Sequence, residues 1–147
     1  NNECIEDNGL LPTVESPMHM AIYKARPEVN AIVHSHPLWS SSFAITGKNI
    51  PLALAEQALF LGGEVICAEY GTVGSEALAQ NIVEALGENR NAALMRNHGA
   101  VAIGKTLKEA FVLADFVEHG AQVAIMAKLL GEIIEIDPDN ILDASLL

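Results

Sequence analysis

The chain has 147 residues, enough for one domain with a sizeable buried core. Half of its residues are hydrophobic and only 18% are charged, which is typical of a globular protein. The formal net charge of −11 disfavours nucleic acid and anionic membrane surfaces as partners, and no apolar run approaches the roughly 20 residues needed to cross a bilayer.

A short helix and a buried strand are predicted near the start of the chain. Ser16 is a suitable N-cap, and Pro17 suits the first helical position of a helix over residues 18–25. Pro27 ends this helix, because proline disfavours helical geometry in the residue before it. Residues 30–33 then predict the first clear strand.

The middle of the chain predicts further short elements. Residues 38–45 indicate a helix or a turn, and the apolar segment 50–61 fits either a strand or a helix. Residues 65–68 predict a short strand. Ser75 is a suitable N-cap for a helix that runs to about Leu86 and stops at the following glycine.

The next segment predicts a β-hairpin followed by a long helix. The apolar runs 92–95 and 100–103 are separated by residues 96–99, in which Asn and Gly allow a tight turn. This places His98 at the hairpin tip. A capping-box sequence then opens a helix from Thr106 to about Gly131. Strands that alternate with helices, one pair forming a hairpin, predict an α/β protein with a mixed sheet.

The two cysteines favour a reducing environment. Cys4 and Cys67 lie far apart, and two thiols do not form the dense framework of a disulfide-stabilised secreted protein. The first residues also lack the basic and hydrophobic regions of a signal peptide. We therefore expect a cytoplasmic protein.

Three histidines and one acid are the candidates for chemistry. His34 and His36 follow a buried strand, where residues i and i+2 project to the same face, so two imidazoles emerge together. With His98 on a tight turn, three imidazoles and an open position would suit a catalytic zinc ion. Glu15 could be a fourth ligand or a general base. The same histidines could instead be hydrogen-bonded core residues, because spacing alone does not make them converge.

Several separate motifs in the same order resemble the class II aldolase/adducin family. The resemblance covers the chain from Pro12 to about Glu132. It lies in ESPMHMAIY from Glu15 to Tyr23, Arg26-Pro27, AIVHSHP from Ala31 to Pro37, Glu69-Tyr70, Gly74-Ser75, Asn97-His98-Gly99 with Gly104, and Glu109-Ala110 with Glu118.

The resemblance implies a fold and a set of site residues. The fold is a three-layer α/β/α arrangement with a central mixed, largely antiparallel sheet, and residues 1–147 form a single domain of it. His34, His36 and His98 would hold one Zn²⁺, or another divalent metal, per subunit. The remaining site residues would be Glu15 for proton transfer, Tyr70 as a proton donor, often across a subunit interface of a homotetramer, and Thr13 at the substrate phosphate.

The resemblance also implies a reaction. It is the cleavage of a ketose 1-phosphate, such as L-fuculose 1-phosphate, to dihydroxyacetone phosphate and an aldehyde through a metal-stabilised enediolate. The alternatives are a pentulose-5-phosphate 4-epimerase, a dehydratase, a decarboxylase, or a non-catalytic adducin-like interaction domain. Related epimerases typically carry Asp where this chain has Glu15, which favours an aldolase.

The chain departs from the family pattern at the phosphate site. Family members have several dozen residues upstream, with Gly/Asn/Ser loops that hold the substrate phosphate, so the domain is expected to be N-terminally truncated relative to the family. Thr13-Val14 also replaces a Ser-Ser pair before the acid, and valine has no side-chain hydrogen-bond donor.

Overall fold

The computed structural model describes Gly9 and residues 11–137. In this part of the chain, strands and helices follow one another in the order that the sequence predicts, with one π-helical turn at Gln57–Leu61. The helices are α1 (Ser16–Ala25), α2 (Leu38–Thr46), α3 (Glu76–Leu86) and α4 (Leu107–Leu130), and the strands are β1 (Ala31–Ser35), β2 (Ile66–Ala68), β3 (Ala92–Met95) and β4 (Gly99–Gly104).

The four strands form one mixed sheet in the order β1-β4-β3-β2. β4 pairs antiparallel with both β1 and β3, whereas β2 pairs parallel with β3. The predicted hairpin of β3 and β4 and the mixed, largely antiparallel sheet are therefore confirmed. In the β1–β4 pair, Ser35 lies opposite Ala100 and Ala31 opposite Gly104, so the end of β1 meets the hairpin tip.

Helices cover both faces of the sheet, which gives three layers. Successive strand residues point to opposite faces, so Met95 and Ile103 pack with residues of α1 and α3. Leu94 and Ala102 pack on the other face with residues of α2 and α4. Much of the second face is alanine, and these small side chains leave room for α4 to lie close to the sheet.

Helix α4 has the cap that its sequence predicts. The hydroxyl of Thr106 accepts a hydrogen bond from the backbone N–H of Glu109, and the Glu109 carboxylate accepts one from the N–H of Lys105. By length and composition α4 is the one helix in the described part that could cross a membrane. Its face around Val117 and Ala121 is buried in the core, the arrangement of a core helix, and one such helix is weak evidence for a membrane span.

Two local predictions change in the structure. Ser16 is not the N-cap of α1: the helix includes Ser16, and Glu15 is the N-cap without a side-chain capping bond. The Ser16 hydroxyl instead donates to the carbonyl oxygen of Thr13 at 2.6 Å. The segment 50–61, which fits either a strand or a helix, begins with an isolated antiparallel bridge between Ile50 and Val65, is irregular to residue 54 and is helical from residue 55 to 61, where it ends in the π-helical turn. Cys4 lies outside the described residues.

Candidate metal centre

The pairing of β1 with β4 presents two imidazoles at one end of the sheet. His34 is the fourth residue of β1, and its Nδ1 lies 3.0 Å from the carbonyl oxygen of Ala100. A carbonyl oxygen only accepts hydrogen bonds, so Nδ1 carries the proton and Nε2 is the nitrogen with the lone pair. His36 follows the strand, and its Nε2 lies 3.0 Å from Nε2 of His34.

The hairpin turn brings the third imidazole to the same place. Asn97 has a φ of 58°, and the backbone N–H of His98 donates to the carbonyl oxygen of Met95 at 2.9 Å. The ring centroids of His34, His36 and His98 are then 4.7 to 4.9 Å apart. One potential ligand atom from each histidine lies within 4.8 Å of the others. The predicted convergence of the three histidines is present.

Glu15 completes the cluster from the start of α1. It is only 5% exposed, and its Oε2 lies 2.7 Å from Nε2 of His34. Its Oε1 lies 3.5 Å from Nδ1 of His98. Thr13 helps to fix the backbone at Glu15, because the Thr13 hydroxyl accepts a hydrogen bond from the Glu15 N–H at 3.3 Å. Thr13 is thus used inside the turn that places the acid.

The unpartnered atoms of the cluster fit a metal ion. A carboxylate and imidazole nitrogens converge, and each can offer lone pairs. Glu15 Oε1 and His98 Nδ1 are buried without a hydrogen-bond partner, which is costly unless another group satisfies them. In the described part of the chain Glu15 pairs with no lysine or arginine, so its buried charge faces only imidazoles. Nitrogen and oxygen donors of this kind suit Zn²⁺ and similar divalent metals.

Burial also favours the protonation state that a ligand needs. It lowers the pKa of the His98 imidazole, and the nearby Glu15 carboxylate, which acts in the opposite direction, does not reverse this shift. The pKa of His19 is lowered as well, first by burial and then by the neighbouring His34. A lowered pKa keeps the imidazole neutral at neutral pH, and the neutral imidazole binds metals.

Gly99 allows the two ligand-bearing segments to approach each other closely. A Cβ built at Gly99 would lie 2.4 Å from the carbonyl oxygen of Ser35 and 2.6 Å from Cδ2 of His36. Both distances are too short for a real side-chain atom. The glycine is therefore required for the packing of the hairpin against the end of β1.

Among the described residues, no hydrogen bond, ion pair or ring contact joins Tyr70 to the three histidines. It lies in the loop after β2, its side chain is 59% exposed, and its backbone carbonyl accepts a hydrogen bond from Asn81. Its phenol has no hydrogen-bond partner among the described residues.

A cavity of the described part lies at the opposite end of the sheet, beyond Gly104. It has a volume of about 680 Å³ and is lined by residues that include Phe60, Lys105 and Phe116. The described residues contain one group of three or more side chains that could hold a metal, and it is the histidine cluster. The candidate site therefore remains the histidine cluster, because none of its three histidines lines this cavity.

Sequence reasoning did not find the role of Glu118. This residue lies on α4, and its carboxylate accepts hydrogen bonds from Trp39 and Ser40 at the start of α2. A signal was present, because Pro37 cannot cap a helix with its side chain. The free N–H groups at such a helix start can be satisfied by an acceptor from elsewhere in the chain.

Comparison with known proteins identifies relatives over most of the chain. The family described as "Class II Aldolase and Adducin N-terminal domain" matches residues 1–125. A 5-deoxy-D-ribulose 1-phosphate aldolase of Bacillus thuringiensis serovar kurstaki is 36% identical over 82% of this chain and 56% of its own length. An L-fuculose phosphate aldolase of Escherichia coli K12 is 33% identical over 91% of this chain and 62% of its own length.

A solved structure shares the fold. An L-fuculose 1-phosphate aldolase superimposes with a TM-score of 0.84 at 33% identity, over 89% of this chain and 61% of that one. This likeness confirms the expected fold class. The chain thus spans about 56% to 62% of the length of these relatives.

Replacing Gly99 by alanine should destabilise the protein and loosen the site. The new Cβ forces the Ser35 carbonyl or the His36 ring to move, and such overpacking costs about 1–3 kcal/mol. The measurement is urea-induced unfolding of the metal-free protein. Gly131→Ala is the matched control, because a Cβ there meets nothing within 4 Å. Equal stability of the two variants would contradict the proposed packing constraint.

Proposed function

The chain belongs to the class II aldolase and adducin family, and we propose that it is a zinc-dependent aldolase. Its substrate would be a ketose 1-phosphate, which it would cleave to dihydroxyacetone phosphate and an aldehyde. The observation that carries the proposal is the convergence of three imidazoles with a buried carboxylate that has an unpartnered oxygen. The relatives named 5-deoxy-D-ribulose 1-phosphate aldolase and L-fuculose 1-phosphate aldolase support the choice of substrate class.

The three histidines would hold the metal, each in a different way. His34 offers Nε2, because its other nitrogen is bound to the Ala100 carbonyl. His36 and His98 complete the nitrogen donors from the strand end and the hairpin tip. A metal ion bound there would supply a Lewis acid that stabilises the negative charge formed when a carbon–carbon bond beside a carbonyl breaks. With a metal in this role, the reaction would need no lysine that forms a Schiff base with the substrate carbonyl.

Glu15 would move the proton at the substrate carbon. Its carboxylate is held by the turn at Thr13 and is shielded from solvent, with Oε1 unpartnered. This oxygen can take a proton from a carbon beside a substrate carbonyl and return it later. Oε2 of Glu15 lies 2.7 Å from Nε2 of His34, so the same carboxylate is also close enough to the histidines to serve as a further ligand of the metal.

Tyr70 would protonate the departing aldehyde oxygen. Its phenol is exposed and unpartnered within the described chain, so we propose that it acts in the site of a neighbouring subunit of a homotetramer. Exposed apolar side chains such as Phe111 and Leu130 are available for contacts between subunits.

A cytoplasmic location fits the chain's two cysteines, which lie far apart in sequence.

Recognition of the substrate phosphate would use Thr13. Its side chain is exposed, and its oxygen accepts from the Glu15 N–H, so its O–H remains free to donate to an anion. The acidic surface repels phosphates at long range. The affinity for the substrate would therefore come from local contacts at the site.

Purified protein should contain about one zinc ion per chain, bound by the histidine cluster. The double variant His34→Ala/His36→Ala should lose this metal, because it removes two of the three nitrogen donors. Elemental analysis after dialysis is the measurement. His119→Ala is the control, since His119 is a half-exposed histidine of α4 outside the cluster. An unchanged metal content in the double variant would refute the assignment, and the absence of metal in the native protein would favour an interaction domain.

Metal-loaded protein should release dihydroxyacetone phosphate from at least one member of a panel of ketose 1-phosphates. Glu15→Gln should lower kcat by about 100-fold or more, because loss of a general base typically costs that much. Tyr70→Phe should lower kcat by a similar factor with little change in KM. Tyr23→Phe, which removes the hydroxyl of a tyrosine on α1, is the matched control. Product release that is indifferent to Glu15→Gln would contradict the proposed mechanism.

A further inference from the structure

The carboxylate of Glu118 caps a helix that lies far away in sequence. Helix α2 begins at Leu38 after Pro37, whose side chain makes no capping bond. Oε1 of Glu118 accepts from the backbone N–H of Trp39 at 2.8 Å. Its Oε2 accepts from the backbone N–H of Ser40 at 2.8 Å and from the Ser40 hydroxyl at 2.9 Å. Glu118 thus satisfies the helix start that Pro37 leaves open.

The helix start that Glu118 holds is two residues from a metal ligand. His34 is fixed within β1 by the strand pairing and by its bond to Ala100. His36 lies beyond the last residue of β1 and is the exposed member of the three histidines. The position of its backbone is therefore set by the strand on one side and by Pro37 and α2 on the other. Any movement of the first turn of α2 would move His36.

We propose that Glu118 is a positioning residue for His36. By binding the first turn of α2, its carboxylate fixes the corner at Pro37 and thereby the direction of the imidazole. Glu118 does not coordinate the metal itself. This inference rests on the proposed metal site and adds to it a residue that acts through hydrogen bonds to the backbone.

The chemistry of the contact requires a carboxylate. Three donors converge on Glu118 from one side, and a carboxylate has two oxygens that only accept when ionised. The start of a helix also favours negative charge, because its free N–H groups carry a partial positive charge. A glutamine would turn an N–H₂ group toward one of the N–H donors and lose that contact.

The same helix also contacts the hairpin that carries His98. The carbonyl oxygen of Ala44, near the end of α2, accepts a hydrogen bond from the N–H of Asn97 at 3.2 Å. The guanidinium of Arg96 lies against Gly47, the C-cap of α2. Helix α2 therefore connects the corner after His36 to the turn that holds His98. Its position affects the distance between two proposed ligands, and Glu118 fixes the end nearer to His36.

Titration of metal-free protein with Co²⁺ tests the proposal through affinity and the visible absorption spectrum of the bound ion. Glu118→Gln should bind Co²⁺ at least about 10-fold more weakly, the usual range for groups that orient metal ligands, and with an altered spectrum. Asp115→Asn should keep the native affinity and spectrum, because it removes the same charge from an exposed position of the same helix. Circular dichroism checks that each variant is folded.

A folded Glu118→Gln variant with native affinity and spectrum would overturn the proposal. If that variant does not fold, Glu118→Asp decides, because it keeps the charge but shortens the side chain by one methylene and draws the carboxylate away from the backbone N–H groups of Trp39 and Ser40. It should also bind Co²⁺ more weakly, and native binding would overturn the proposal. A native protein that binds no Co²⁺ would instead overturn the metal function on which the proposal rests.

Discussion

The register of the antiparallel pair β1–β4 is the constraint on which the proposed site depends. It sets Ser35 opposite Ala100. His36, which follows β1, therefore lies next to His98, which precedes β4. His36 and His98 come from segments 62 positions apart and become neighbours only through this register. A shift by one residue would turn His34 to the other face of the sheet. Gly99 has no side chain where the two segments are closest, and it makes the pairing sterically possible.

The electrostatics of the site follow from the burial of Glu15. A carboxylate that is 5% exposed and faces imidazoles rather than a lysine or arginine is an expensive arrangement for a purely structural acid. The cost is offset if a divalent cation takes up the unpartnered lone pairs. Burial lowers the pKa of His98 and keeps its imidazole in the form that binds metals. A bound metal ion would account for the buried carboxylate, the unpartnered Oε1 of Glu15 and the convergence of three histidines at the same time.

The sequence predicts those parts of the structure that depend on local chemistry. The hairpin turn follows from Asn97 and Gly99, and the caps at Ser75 and Thr106 follow from hydroxyl side chains ahead of apolar helices. The prediction that Ser16 is the N-cap of α1 was wrong. The helix already includes Ser16, and the Ser16 hydroxyl donates to the carbonyl oxygen of Thr13. The spacing of His34 and His36 indicated a shared face, whereas their meeting with His98 and Glu15 depends on the tertiary register.

Contacts between distant elements were beyond local reasoning. The capping of α2 by Glu118 joins α2 to α4, and no local pattern identifies the donor and acceptor as partners. Tyr70 illustrates the same limit at a larger scale, because its proposed role requires a second subunit.

The most direct measurement of the central claim is X-ray absorption spectroscopy at the zinc edge of metal-loaded protein. The proposed site predicts a shell of nitrogen and oxygen ligands at about 2.0–2.1 Å, with the outer scattering that is characteristic of three imidazoles. A shell that contains sulfur at about 2.3 Å, or outer scattering from fewer than two imidazoles, would show that the metal binds elsewhere and would contradict the account.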